Sequence, residues 1–198
     1  MRKIDRTPAP EWLKAKYKEW GKEWKRTYTE TGQSREFRWH QHKNHGYADL
    51  VEQLSTMTQN HCSFCDAYPM GARLKYTIEH FRPKTKYPLL AYTWANLFLC
   101  CYNCQEKGEE FDRKLLKPDK DDYYFDDYFE IDWMTGELRP NRVASQEKQE
   151  RAKITIQLYR LNANGKPEDR LEELEKFLDS HNPEIDQWAY RFFIERGI

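Results

Sequence analysis

Two Cys-x-x-Cys pairs, Cys62/Cys65 and Cys101/Cys104, constrain this chain more than any other feature. Each pair can form a knuckle whose two sulfurs sit about 3.5–4 Å apart on a shared metal, with Zn–S at about 2.3 Å. Four soft thiolates suit one tetrahedral Zn²⁺. They also fill its coordination, so such a site is structural and leaves no open position for a substrate. The gap between the pairs is longer than in a plain zinc ribbon and leaves room for a β-hairpin. Cys100 is the odd thiol. Paired with Cys104 it would make the poorer Cys-x3-Cys knuckle, so it reads as a core residue.

The rest of the chain is compatible with a small core carrying appended helices. Lys+Arg and Asp+Glu are balanced at 33 each, so net charge singles out no partner. The distribution is uneven. Residues 1–45 hold 12 Lys/Arg against 6 Asp/Glu, a surplus that attracts phosphates. Residues 70–90 hold Arg73, Lys75, Arg82, Lys84 and Lys86 against Glu79 alone, and residues 119–132 reverse the sign. No apolar run reaches membrane-spanning length, and no charged-then-apolar leader opens the chain. The expectation is a cytoplasmic protein, where cysteines at these spacings are metal ligands and not disulfides.

Helical periodicity follows Pro8 and Pro10, with Trp12, Leu13, Tyr17, Trp20 and Trp24 near one face. Residues 29–46 read as a polar loop and 47–59 as a helix. Residues 75–81 and 87–99 are β-branched and aromatic enough for two strands joined at Pro83–Lys86. A helix is expected from about Cys104 through Phe111. Tyr128–Trp133 and Glu137–Arg139 read as a hairpin. Helices are expected over about 145–161 and 167–179, with a third opening at Asn182 and Pro183 and ending at Gly197. His40, His42 and His45 lie on the polar loop and read as solvated side chains, not as a second metal site.

The chemistry-bearing residues lie between the cysteine pairs. Glu79 and Asn96 offer hard oxygens that suit Mg²⁺ or Mn²⁺. His80 has an ordinary pKa of about 6.5, so as a neutral ring it can take a proton from water. Arg82 and Lys84 follow it and can hold a phosphate.

The order C-x2-C, Glu-His, Asn-Leu, C-x2-C resembles the HNH endonucleases, whose core is a ββα-metal unit. The strings CSFCD, IEHFRPK, YPLLAYTWANLFLCCYNC and KGEEF are similar to the HNH nucleases of Septu-type anti-phage defence, which also accompany some retrons. MRKIDR, LVEQLSTMTQNHC and AKITIQLYRLN extend the likeness beyond the core.

The resemblance implies an α+β fold, mostly helical, around a zinc-stapled ββα core at residues 61–115. Residues 1–60 would be a helical region able to dock a partner, and 116–198 a hairpin plus helices packed on the core. His80 would activate water, Glu79 would contact the catalytic cation, and Asn96 would position the histidine or its loop. Cys62, Cys65, Cys101 and Cys104 would hold zinc. Arg82, Lys84 and Lys86 would bind phosphates of DNA. Relatives place Asn or His directly after the last cysteine, followed by Lys-Gly. Here Gln105 stands there, one residue closer to Lys107-Gly108. The third cation ligand is therefore open among Gln105, Asn103, Glu106 and Glu109.

The implied activity is hydrolysis of DNA phosphodiester bonds with little sequence specificity. The implied partners are an ATPase subunit and, in retron systems, a reverse transcriptase and its DNA. The alternative is a catalytically degenerate, zinc-stabilised module that docks a protein or nucleic acid. A zinc hydrolase with His80 on the metal is disfavoured, because four thiolates already complete the site.

Overall fold

The computed structural model describes residues 1–71, 74–180 and 184–198. Arg73, Asn182 and Pro183 therefore lie outside the described residues. The protein is mixed α and β, with two small antiparallel sheets of two strands each among the described residues.

Helix α1, Glu11–Thr31, forms where periodicity requires it and buries Trp12, Leu13, Trp20 and Trp24. Gly32 ends it in the left-handed region, φ 65°, where a residue without Cβ is unstrained. Helix α2, Tyr47–Thr58, starts with the Asp49 carboxylate accepting from the Gly46 amide at 2.7 Å. Strands β1, Tyr76–His80, and β2, Leu97–Cys101, pair antiparallel with Glu79 opposite Phe98 and His80 opposite Leu97.

Two expectations need correction here. The second strand is not 87–99. Residues 88–90 and 94–96 are single 3₁₀ turns, and pairing begins only at Leu97. The reason is local. Asn96 draws the preceding segment around its own side chain, accepting from the Arg82 amide at 2.8 Å and donating to the Arg82 and Leu90 carbonyls at 3.0 and 3.1 Å. The helix after β2 also differs. It is one turn, α3, Tyr102–Gln105, and not 104–111. Gly108 adopts φ 56° and its amide bonds back to the Gln105 carbonyl at 2.8 Å, which stops the helix.

Downstream, α4, Phe125–Tyr128, leads into strands β3, Phe129–Ile131, and β4, Leu138–Pro140. Helices α5, Gln146–Leu158, and α6, Lys166–Asp179, match their expected spans closely. The closing helix α7, Arg191–Gly197, is shorter than expected and follows a 3₁₀ turn at Ile185–Gln187. One buried apolar cluster draws on every part of the chain, from Ile4 and Trp24 through Phe64 and Phe98 to Tyr159 and Phe193. Among the described residues no helix is long and apolar enough to cross a membrane.

Two features aim this scaffold at the region between the cysteine pairs. Helix α1 lies against the 88–90 turn. The Trp24 indole N–H donates to the Lys84 carbonyl at 2.8 Å, and Gly21 is where the two backbones meet. Helix α7 is tied to the first knuckle. Asp66, directly after Cys65, accepts from the Arg191 amide at 2.7 Å and pairs with its guanidinium at 2.8 Å, both side chains buried.

Candidate functional site

The four cysteines of the two pairs converge. Their sulfurs all lie within 4.8 Å of one another, with Cys65 and Cys101 at 3.6 Å, and all four side chains are buried. The spacing fits a tetrahedral set of thiolates at about 2.3 Å from one zinc. The first knuckle is fastened to the sheet, since the Ser63 amide donates to the Leu99 carbonyl at 2.9 Å. The backbone N–H of Cys101 points at the Cys62 sulfur at 3.4 Å, a donor that favours a thiolate there. Cys100 donates its thiol to the Cys101 carbonyl, and burial pushes its thiol pKa up. Among the described residues these cysteines are the one group of three or more ligand side chains close enough to share a metal. The three loop histidines form no such group. His45 stacks on Trp12 yet stays exposed, as expected, while His40 stacks on Trp20 and is half-buried.

Beside the cluster opens a cleft of about 550 Å³. Glu79, His80, Lys84 and Gln105 all line it. Its aromatic wall comes from the segment after α1, with Phe37 and Trp39, and from Tyr102. The His80 ring lies 5.5 Å from the Trp39 ring at an interplanar angle of 8°, and Phe37 meets it edge-on at 5.3 Å. Its Nε2 is 2.9 Å from the Ala91 carbonyl oxygen. A carbonyl can only accept, so Nε2 carries the proton and Nδ1 is the basic nitrogen. Burial, reinforced by Lys84, pushes the His80 pKa down to about 3, so the ring is neutral.

Glu79 is buried, and burial raises its pKa to about 6 against the opposing pull of Lys107. Lys107 is a feature that residue-by-residue reading passed over. Its side chain is wholly buried, with Nζ 2.8 Å from Glu79 Oε1. The ammonium hydrogen-bonds the Gly108 and Glu110 carbonyls at 3.4 and 3.1 Å, so its contact with Oε1 is an ion pair without an aligned hydrogen bond. The sequence signal available was its place directly before Gly108, at the turn that ends α3.

The candidate third ligands separate. Gln105, Glu106 and Glu109 line the cleft; Asn103 does not. Gln105 Nε2 sits 3.5 Å from Thr77 Oγ1, which leaves its amide oxygen free of that contact. Glu106 is paired with Arg160, and Glu109 accepts from the Thr85 hydroxyl. Asn96 lies beneath the loop and not in the cleft. Lys84 lines the cleft with its ammonium 5.3 Å from the Phe37 ring. Arg82 points elsewhere, over Tyr87 and Phe111 at 5.4 and 5.8 Å.

A carboxylate, an amide oxygen and a neutral imidazole around an open cleft are donors of the kind a hard divalent cation accepts while keeping several waters. They do not make a closed all-protein cage.

What the fold and the cleft define is a mixed α/β protein whose small sheet is flanked by a four-cysteine cluster able to bind zinc. No protein-family model matches the chain. Over 62 residues it is 37% identical to the Septu protein PtuB of Bacillus thuringiensis, a match covering 31% of this chain and 24% of that protein. The chain thus spans about a quarter of the length of the curated relative it matches.

Proposed function

We propose that the protein is a metal-dependent endonuclease of the HNH type, hydrolysing DNA phosphodiester bonds with little sequence specificity in Septu-like anti-phage defence. The observation that carries this reading is the state of His80. A neutral imidazole, its Nε2–H tied to the Ala91 carbonyl, presents a basic Nδ1 beside Glu79 on an open cleft. On this reading β1, β2 and α3 are the ββα core, and the cysteine cluster staples it with zinc.

His80 Nδ1 takes the proton from a water in line with the leaving 3′ oxygen. Its low proton affinity in the free protein reflects burial and the Lys84 charge, and a phosphate beside it raises that affinity. Glu79 and Gln105 would hold a Mg²⁺ or Mn²⁺ ion. When bound, that ion stabilises the charge that develops on the phosphate and on the leaving oxygen. Lys84 binds the scissile phosphate, and Arg82 and Lys86 bind neighbouring ones outside the cleft, contacts that do not depend on sequence. Asn96 is a positioning residue that braces the loop from Arg82 to Leu90. The partners are DNA and an ATPase subunit of the same system, joined in retron settings by the reverse transcriptase and its DNA.

The test is plasmid cleavage in Mg²⁺ or Mn²⁺. His80→Ala should abolish nicking while the protein keeps its zinc and stays folded. Equal cleavage by parent and His80→Ala overturns the reading.

One observation favours a second reading. Glu79 is already neutralised by Lys107 in a buried pair, as in a structural salt bridge. On that reading the protein is a zinc-stabilised module that docks a partner or nucleic acid. Full zinc with no cleavage under any divalent cation, alone or with the ATPase, would support it.

A further inference from the structure

The Glu79–Lys107 pair points beyond the assignment of a base. A divalent cation held in one place by protein alone usually meets two or more uncompensated carboxylates. This cleft holds none that is both buried and unpaired. Glu79 faces the Lys107 ammonium at 2.8 Å, Glu106 is paired with Arg160, and Glu109, exposed at the rim, accepts from the Thr85 hydroxyl. Two of these acids are matched by bases, and the third stands in solvent. Lys107 cannot drift out of the way cheaply, because its side chain is fully buried and two backbone carbonyls hold its ammonium. The same two carbonyls can keep that ammonium satisfied when Glu79 turns its charge to another cation.

We infer that Lys107 is a positioning residue that couples cation binding to substrate binding. It holds the Glu79 carboxylate in place while cancelling its charge, so the free protein binds the divalent ion weakly. The phosphate backbone then supplies the missing negative charge, and ion and nucleic acid enter the cleft together. This rests on the endonuclease reading above. Its consequence is different in kind: a cleft that is idle in cellular Mg²⁺ until DNA arrives. By linkage the coupling is reciprocal, so the ion should tighten DNA binding by the factor with which DNA tightens the ion.

The experiment reads Mn²⁺ binding by electron paramagnetic resonance in zinc-loaded His80→Ala protein, alone and with a duplex oligonucleotide. The Glu79→Gln, His80→Ala protein supplies the background from Mn²⁺ on DNA and on the surface. The expected result is Glu79-dependent Mn²⁺ binding tightened by DNA on the order of tenfold or more. Adding Lys107→Met should tighten Mn²⁺ binding without DNA by a similar factor and shrink the DNA effect. Equal Mn²⁺ affinity with and without DNA overturns the inference. So does a Lys107→Met protein that keeps its zinc and shows unchanged Mn²⁺ affinity. If Lys107→Met loses zinc and fold, the DNA comparison alone decides. Cutting of the oligonucleotide by the His80→Ala protein, seen on a gel of the same samples, is the failure of the endonuclease reading and not of this one.

Discussion

Trp39 lies flat against His80, ring centroids 5.5 Å apart and planes 8° from parallel. Residues 41 positions apart in the chain thus share one wall of the cleft. The stack covers a face of the imidazole, and the Ala91 carbonyl holds its Nε2–H. The orientation and tautomer of His80 are thus set by Trp39 and Ala91, neighbours that contribute no chemistry of their own.

That environment makes a pH prediction. The His80 pKa is about 3 in the folded protein against 6.5 ordinarily. Between those values the unfolded chain binds a proton that the folded one excludes, so stability falls as pH drops from about 6.5 towards 3. Nitrogen NMR of the imidazoles should show His80 as the neutral Nε2–H tautomer throughout pH 5–8 in the free protein. A titration of His80 centred near 6.5 would refute the buried geometry.

The cysteines should divide four against one. Cys104→Ser should lose zinc and lower the melting temperature sharply, because metal binding energy of this kind is folding energy. Cys100→Ala should keep one zinc per chain, at a cost of about 1 kcal/mol for the lost sulfur packing. Metal analysis of the two purified variants decides the matter.

Asn96→Ala should destabilise by about 2–4 kcal/mol. It removes three hydrogen bonds and strands the Arg82 amide and two carbonyls beneath the loop. Urea unfolding measures this. On the proposed function nicking should weaken too, since the loop end that carries Ala91 is the His80 tether.

Gly21→Ala sets two effects against each other. Alanine favours a helix interior over glycine by about 1 kcal/mol. A Cβ at Gly21 would, however, lie 2.9 Å from the Leu89 carbonyl oxygen, a backbone atom with little room to yield. Overpacking of this sort costs about 1–3 kcal/mol. The net expectation is a loss of about 1 kcal/mol, read as a melting point lower by about 2–4 °C. A higher melting point would mean that α1 is not pressed against the 88–90 turn.

Much of this architecture is written in short-range pattern. Cysteine spacing identifies the four clustered thiols and leaves Cys100 out. Tryptophan and leucine periodicity finds α1, α2, α5 and α6, and the paired runs Tyr128–Trp133 and Glu137–Arg139 find the β3–β4 hairpin. Each is a contest among residues a few positions apart, which local sequence decides.

The second strand and the helix after it depart from local pattern for the opposite reason. Residues 87–96 have strand composition, but Asn96 spends its hydrogen bonds on Arg82 and Leu90, and a loop wraps it instead. Gln105–Phe111 has helix composition, but Lys107 is drawn inward to Glu79 and Gly108 turns left-handed beside it. The cleft follows the same logic. Local pattern singles out Glu79 and His80 as candidates, and the resemblance leaves Gln105 as one of four possible partners. How the His80 ring lies, which of its nitrogens is basic, and what charge Glu79 meets depend on Trp39, Ala91 and Lys107. Those partners come from distant segments, or from one turn whose shape distant contacts decide, and burial makes their effects large. Side-chain identity is a local property. The electrostatic state of a buried group belongs to everything packed around it.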